Sequence, residues 1–239
     1  VEMAELSCCD CETVDALDKA LRQLRRRLMV GVIWRDLNRL SDFAEVCQSM
    51  TAMAEAAIQQ AVDFHYRELS GKHGTPIGAV SGLSQQLVVL GMGKLGGGEL
   101  NLSSDIDLIF AFPESGETDH PKRPLDNQSF FIRLGQRVIK TLNDVTVDGF
   151  VFRVDMRLRP YGQSGALVSS FASLENYYQT QGRDWERFAA IKARVVACSS
   201  LPDATQSLML EHEAIEGLNA ILQPFTYRKY TDFSVIESL

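Results

Sequence analysis

The sequence predicts an α+β domain, in which a small mixed β-sheet lies between helices that precede and follow it. Two apolar runs, Leu87–Leu90 and Ile106–Phe112, have the length and composition of buried strands. A third segment, Val151–Pro160, alternates between apolar and charged residues, which is the period of a half-buried strand. We therefore expect a helical segment at residues 1–80, a core that carries the sheet at 81–170, and a further helical segment at 171–239, cut short at its C-terminal end.

The helices are predicted from the spacing of apolar residues. Apolar side chains recur at helical spacing in Val14–Leu28, and a second helix should run from Ser41 to Leu69. The basic residues Arg22 and Arg25–Arg27 fall mostly on the other face of the first helix, and we interpret them as a solvated surface. Four later helices are expected: at Phe130–Leu142, after Ser170 as N-cap, at Trp185–Ala197, and from Pro202 towards Ala220.

A glycine-rich segment joins the first two strands and ends in two carboxylates. Gly91–Gly98 contains five glycines, and Asp105 and Asp107 follow at the start of the second strand. Residues i and i+2 of a strand share a face, so both carboxylates project together and repel each other unless a cation lies between them. Mg²⁺ or Mn²⁺, held by protein on one side and phosphate oxygens on the other, is the expected occupant. A glycine turn would let phosphate approach the backbone amides.

The same segment also fits a dinucleotide-binding fingerprint, which we consider the weaker hypothesis. Gly91, Gly93 and Gly96 match G-x-G-x-x-G after a strand, and Glu114 lies about 20 residues downstream, where a ribose-binding acid would be expected. That fingerprint requires a crossover helix before the next strand, and residues 97–104 are too few to form it. A Walker A loop is excluded, since no Gly-Lys-Ser/Thr follows the glycines. The segment therefore favours nucleotidyl transfer.

A third carboxylate is predicted on the alternating strand. Asp155 lies on the charged face of Val151–Pro160, and beside the other two aspartates it would complete a cluster able to hold two metal ions. One ion would activate the attacking oxygen and the other would neutralise the leaving group. Arg157 and Arg159, on the same face, would offer guanidinium groups to phosphate oxygens.

These motifs support a resemblance to a known family. The glycine pair, Asp-x-Asp on one strand and a later Asp on another resemble the nucleotidyltransferase superfamily that includes DNA polymerase beta. Gly91–Phe110, Arg153–Pro160, Gly182–Arg187 and Lys192–Arg194 resemble more closely the family of bifunctional glutamine synthetase adenylyltransferase/adenylyl-removing enzymes. That family carries two such domains in one chain, and Gly98–Asn101 and Gly182–Arg187 resemble the N-terminal, adenylyl-removing copy.

The resemblance implies a phosphorolytic reaction on a protein substrate. Inorganic phosphate would remove the adenylyl group from a tyrosine of glutamine synthetase, releasing ADP and the unmodified enzyme. The implied partners are glutamine synthetase, the PII signal protein with its uridylylated form, phosphate, and ADP or ATP. Two alternatives stay open: the adenylylating copy, which consumes ATP and releases pyrophosphate, and a regulatory domain that binds nucleotide or PII without catalysis.

The resemblance also implies roles for single residues. Asp105, Asp107 and Asp155 would bind Mg²⁺, two ions in all, with Mn²⁺ as an alternative. Gly96 and Gly97 would form the turn that contacts phosphate, and Ser104 would donate a hydrogen bond to it. The residues expected to orient phosphate or nucleotide are Arg157, Arg159, Arg183, Lys192 and Arg194.

Composition excludes some classes of function. The formal charge of −7 argues against nucleic-acid binding, which normally requires net or clustered positive charge. No apolar run approaches the ~20 residues of a membrane span, so no membrane partner is expected. Five cysteines without a disulfide framework fit a reducing cytoplasm. We also expect the chain to be a fragment of a longer protein.

Overall fold

The computed structural model describes residues 11–227, in which a five-stranded mixed sheet is the central element. Residues 1–10 and 228–239 of the predicted helical segments lie outside this range. In chain order the elements are α1 (Val14–Leu37), α2 (Phe43–His73), β1 (Pro76–Gly78), β2 (Val88–Gly91), α3 (Gly93–Gly96), β3 (Ile106–Phe112), β4 (Gly116–Thr118), α4 (Asn127–Asn143), β5 (Val154–Asp155), β6 (Val168–Ser170), α5 (Phe171–Thr180), α6 (Asp184–Ala190), β7 (Arg194–Cys198) and α7 (Ala204–Thr226).

Strand β3 is the centre of the sheet. It pairs antiparallel with β2, which in turn pairs antiparallel with β7. Two short parallel strands share the other side of β3, with β5 beside its start and β6 beside its end. Strands β1 and β4 form a separate two-stranded sheet. The order β5-β3-β2-β7 leaves β5 at an edge, next to the first residues of β3.

The sheet is buried on both faces, which is why β2 is apolar throughout and β3 is apolar except for Asp107. Alternate residues of β3 point to opposite faces. Leu108 and Phe110 belong to a core cluster with α1, α2 and α4, whereas Ile109 and Ala111 belong to a cluster with α5 and α7. These helices bury their apolar faces on the sheet. The predicted α+β fold is therefore confirmed. No described helix is long and apolar enough to span a membrane. The three-segment division stays a prediction.

The predicted helix at Trp185–Ala197 is wrong beyond its first half. Helix α6 ends at Ala190, and Arg194–Cys198 forms the edge strand β7, paired with β2. The β-branched residues Val195 and Val196 favour a strand, and pairing with a buried strand decides between the two structures. Trp185, at the start of α6, is 47% exposed.

Two other local predictions required correction. The alternating segment Val151–Pro160 forms a strand only at Val154–Asp155, and turns follow it. Pro202 precedes the N-cap Asp203 of α7 and does not lie in the first helical turn. The N-cap at Ser170 is confirmed, since its hydroxyl oxygen accepts a hydrogen bond from the Ser173 amide at 3.3 Å.

The basic side of α1 is partly buried, contrary to its interpretation as a solvated surface. Arg22 is 1% exposed. Its guanidinium group donates to the carbonyl oxygens of Asp144 at 2.6 Å and Gly149 at 2.9 Å. Arg25 lies over the Phe150 ring, 4.6 Å from its centroid. Helix α1 therefore holds the connection between α4 and β5.

Candidate functional site

Three aspartates come together at the start of β3. Asp105 precedes the strand, Asp107 is its second residue, and Asp155 is paired with Asp107 on the parallel strand β5. Neighbouring strands lie about 4.8 Å apart, and paired residues of a parallel sheet project to the same face. Burial raises the pKa of Asp107, and the charges of Asp155 and Asp105 raise it further. The three carboxylates are therefore close enough to influence one another.

Two of these carboxylates form ion pairs with arginines. Arg153 donates from Nε to Asp105 Oδ1 at 2.6 Å. Arg157 donates from Nε to Asp155 Oδ2 at 2.7 Å, and its backbone amide donates to Asp155 Oδ1 at 2.8 Å. The Arg157 side chain holds the pKa of Asp155 below its usual value. Asp107 is thus the carboxylate with the least compensated charge.

The donor set fits a divalent cation by its chemistry. Mg²⁺ prefers carboxylate oxygens, and a cation would relieve the repulsion that raises the pKa of Asp107. Within residues 11–227, however, no three His, Cys, Asp or Glu side chains are already arranged as a metal site. The two arginine pairs account for this, since they draw Asp105 and Asp155 to their own partners. Metal ligation by the three aspartates would require these carboxylates to exchange partners.

The glycine turn packs directly against β3 and the start of β7. Gly93 has φ +54°, a conformation that favours glycine, and a Cβ there would lie 3.4 Å from Asp107 Oδ2. A Cβ on Gly96 would lie 1.9 Å from the Lys192 carbonyl oxygen, so only glycine fits. The amides of Gly96 and Gly97 donate to the carbonyls of Met92 and Gly93 within the turn. Phosphate contact by Gly96 and Gly97 stays a prediction.

Lys192 and Arg194, which were predicted to orient phosphate or nucleotide, lie beside the glycine turn, and both have protein partners. Lys192 Nζ forms an ion pair with Glu99 at 2.7 Å. Arg194 donates from Nε to the Gly96 carbonyl at 3.2 Å and pairs with Glu55. These contacts stabilise the turn. Sequence reasoning missed both acidic partners, because each lies far from its basic residue along the chain.

The other residues predicted to contact phosphate or nucleotide form hydrogen bonds within the protein. Arg159 donates to the carbonyls of Met156 at 2.8 Å and Gln163 at 3.2 Å, and so closes the turn after β5. Ser104 donates its hydroxyl hydrogen to Asn101 Oδ1 at 2.5 Å. Arg183 is the N-cap residue of α6, and its described contacts are with that helix and not with the aspartates.

Arg153 is a site residue that sequence reasoning did not select. The alternation of Val151–Pro160 placed it on the same face as Asp155, and this was the available signal. Its pairing with Asp105 depends on the parallel contact between β5 and β3, which the sequence does not reveal.

A groove of about 550 Å³ opens between Asp105, Asp155 and the arginines 153, 157 and 159.

A glycine turn that leads into Asp-x-Asp, with a third aspartate on the neighbouring strand, defines a domain of the nucleotidyltransferase class. Residues 2–208 match the model of the family described as glutamate-ammonia ligase adenylyltransferase, and the chain belongs to this family.

The chain is also similar to curated proteins named bifunctional glutamine synthetase adenylyltransferase/adenylyl-removing enzyme. It is 56% identical to the one from Pseudomonas aeruginosa over 230 residues, which are 96% of this chain and 22% of the relative. Identity to the Pseudomonas syringae pv. tomato relative is 59% over 227 residues, or 95% of this chain and 22% of the relative. The Hahella chejuensis relative is 54% identical over 225 residues, with coverages of 94% and 22%. The chain thus spans about a fifth of the length of these relatives.

Proposed function

We propose that the chain is an adenylyl-removing catalytic domain that acts on adenylylated glutamine synthetase. An oxygen of inorganic phosphate attacks the phosphorus of the AMP group, and the tyrosine phenolate leaves and takes up a proton. The products are ADP and the unmodified enzyme, so every atom of the adenylyl group is transferred to phosphate. The names of the relatives include both adenylyl transfer and adenylyl removal.

The observation that carries this proposal is the convergence of Asp105, Asp107 and Asp155 beside the glycine turn. Nothing in the packing of the sheet requires three acids at this place, and burial together with the charges of the other two aspartates raises the pKa of Asp107. We propose that the three carboxylates bind Mg²⁺, or Mn²⁺ in its place. The metal would supply Lewis-acid stabilisation of the negative charge on the transferred phosphoryl group.

The remaining chemistry requires positioning more than a strong base. Phosphoryl transfer passes through a transition state with charge spread over the phosphoryl oxygens, and cationic side chains stabilise that charge. Arg157 is suited to this role, because its side chain is 72% exposed and the charges of Asp155, Asp107 and Asp105 all raise its pKa. Lys192 and Arg194 would support the turn that receives the nucleotide phosphate.

Adenylyl removal is preferred over adenylylation because of two segments. Gly98–Asn101 and Gly182–Arg187 resemble the N-terminal copy of the family, and both have defined structural uses. Glu99 pairs with Lys192, and Glu186 accepts a hydrogen bond from the Arg183 amide at 2.8 Å and another from the Tyr177 hydroxyl at 2.7 Å. We further propose the cytoplasm as location, and PII and its uridylylated form as regulators.

A paired assay with Mg²⁺ tests the direction of the reaction. One reaction contains adenylylated glutamine synthetase and inorganic phosphate, and ADP is measured. The other contains unmodified glutamine synthetase and ATP, and pyrophosphate is measured. ADP alone is expected. Pyrophosphate alone would establish the adenylylating alternative, and no product in either reaction would favour the regulatory alternative.

The aspartate assignment predicts a large loss of activity without unfolding. Asp107→Asn keeps the shape of the side chain and removes its charge, so turnover should fall at least about a hundredfold while the melting temperature is retained. Asp148→Asn is the control for the loss of one carboxylate charge, since Asp148 lies on the connection from α4 to β5, outside the site, and pairs there with Arg26 at 3.3 Å. Wild-type rates in Asp107→Asn would refute the assignment.

A further inference from the structure

The groove at the outer edge of β5 has a concentration of positive charge that is unusual for this acidic chain. Its volume is about 550 Å³, and Arg153, Arg157 and Arg159 line it together with Asp105 and Asp155. The chain as a whole has a formal charge of −7. Three guanidinium groups against two carboxylates leave a net positive charge in this groove, directly beside the carboxylate site.

The three arginines differ in how many of their hydrogen-bond donors are already used. Arg159 donates to three backbone carbonyls of the turn that follows β5, so it maintains the shape of the groove wall. Arg153 uses Nε for Asp105 and Nη2 for the Ser103 carbonyl at 3.4 Å. A guanidinium group has five N–H donors, and these two described contacts leave Arg153 three of them. Its side chain is 60% exposed.

Arg153 is also held in place from the side of helix α1. Two guanidinium groups lie near the Phe150 ring, with Arg25 Cζ 4.6 Å and Arg153 Cζ 6.0 Å from its centroid. Cations over a ring face are attracted to it. Burial and the charge of Arg153 lower the pKa of Arg25, which means that the two arginines repel each other. The orientation of Arg153 towards Asp105 and the groove is set by its ion pair with Asp105 at 2.6 Å.

The two sides of the carboxylate site differ in their capacity for an anion. On the side of the glycine turn, Lys192 and Arg194 are paired with Glu99 and Glu55. On the β5 side, Arg153 and Arg157 are paired with Asp105 and Asp155, the carboxylates proposed to bind the metal, but both side chains are more than half exposed and their described contacts leave N–H donors unused. In an in-line displacement the attacking and leaving groups lie on opposite sides of the phosphorus. The attacking phosphate has only its negatively charged oxygens for contacts with the protein, whereas the nucleotide also has a base and a ribose. We therefore expect the attacking phosphate to bind on the more cationic side.

We propose that the groove at the edge of β5 binds the attacking inorganic phosphate and that Arg153 is a phosphate-binding residue in it. This inference rests on the proposed phosphorolytic function and specifies where one of its two substrates binds. Arg153 and Arg157 contact the phosphate oxygens from two sides, while Arg159 holds the turn. The nucleotide phosphate remains on the side of the glycine turn.

Steady-state kinetics of Arg153→Met and Arg153→Lys test the proposal, with Arg26→Met as control. Arg26 is an exposed arginine of α1 that pairs with Asp148, away from the groove. In Arg153→Met the KM for inorganic phosphate should rise about tenfold or more, since a charge-assisted contact is lost. The KM for adenylylated glutamine synthetase should stay within about twofold. Arg153→Lys should recover part of the phosphate affinity, because it keeps the charge.

A fall in kcat with an unchanged KM for phosphate would overturn the proposal, because Arg153 would then act only through Asp105. Calorimetric titration with inorganic phosphate gives a readout that does not require turnover. Binding that is weakened in Arg153→Met and retained in Arg26→Met supports the phosphate site, and equal binding in both variants refutes it. If the wild type binds phosphate but releases no ADP, the proposed function fails while the anion site stands. Thermal unfolding confirms that each variant is folded.

Discussion

Replacement of Arg22 by methionine should destabilise the protein more than its place in a basic run suggests. The Arg22 side chain is 1% exposed and donates to three carbonyl oxygens: Asp18 at 2.9 Å, Asp144 at 2.6 Å and Gly149 at 2.9 Å. Two of these contacts join α1 to the connection between α4 and β5, more than 120 residues away in the chain.

The size of the expected loss in stability follows from the two long-range hydrogen bonds of Arg22. A hydrogen bond to a charged group contributes about 1.5–3 kcal/mol. Methionine recovers part of this by apolar burial, and water can reach the freed carbonyls because the connection is exposed. We therefore expect the free energy of unfolding to fall by about 2–4 kcal/mol. Arg22→Lys should lose less, because it keeps one charged donor.

Urea denaturation followed by circular dichroism measures this difference. Arg26→Met is the control, since Arg26 is exposed and its contacts within the described residues are those of 3.3–3.4 Å to Asp148. The free energy of unfolding of this variant should fall by less than about 1 kcal/mol. Equal stabilities of the Arg22→Met and Arg26→Met variants would refute the conclusion that α1 holds the connection to β5 through Arg22.

Two further predictions concern the glycine turn and pH. Gly96→Ala should lower the melting temperature and abolish activity, because its Cβ would clash with the Lys192 carbonyl. The control is Gly31→Ala, which lies in α1 with open space around it and should be neutral or stabilising. A Gly96→Ala variant that is stable and active would contradict this prediction. Burial lowers the pKa of His65 below 6.5, so its stabilising contribution is complete above about pH 6.5 and is lost as the pH falls through the folded-state pKa. Unfolding free energies at pH 7.5 and 5.5 should differ less in His65→Gln than in the wild type, and equal differences would disprove the assignment.

The parts of the fold that depend on local pattern could be predicted from the sequence. Strand β2 is a continuous apolar run, and β3 is one from Leu108 onwards, because both faces of the sheet are covered; the amphipathic period of α4 is equally plain. Strand β7 was missed, because a short apolar segment such as Val195–Cys198 has no period that separates strand from helix. Its pairing with β2 makes this segment a strand, and that contact joins residues about 100 positions apart.

For the candidate site, the sequence by itself indicated that Asp105 and Asp107 stand together at the start of β3, because residues two apart in an extended chain project to the same side. It also indicated Asp155 and the face it shares with Arg153 and Arg157. Only the tertiary structure decided the partners of each charge: Arg153 with Asp105, Lys192 with Glu99, Arg194 with Glu55 and Arg22 with the backbone before β5. The physical reason is that side-chain periodicity is a local property of the backbone, whereas an ion pair forms between whichever charges the packing of distant elements brings within a few ångströms.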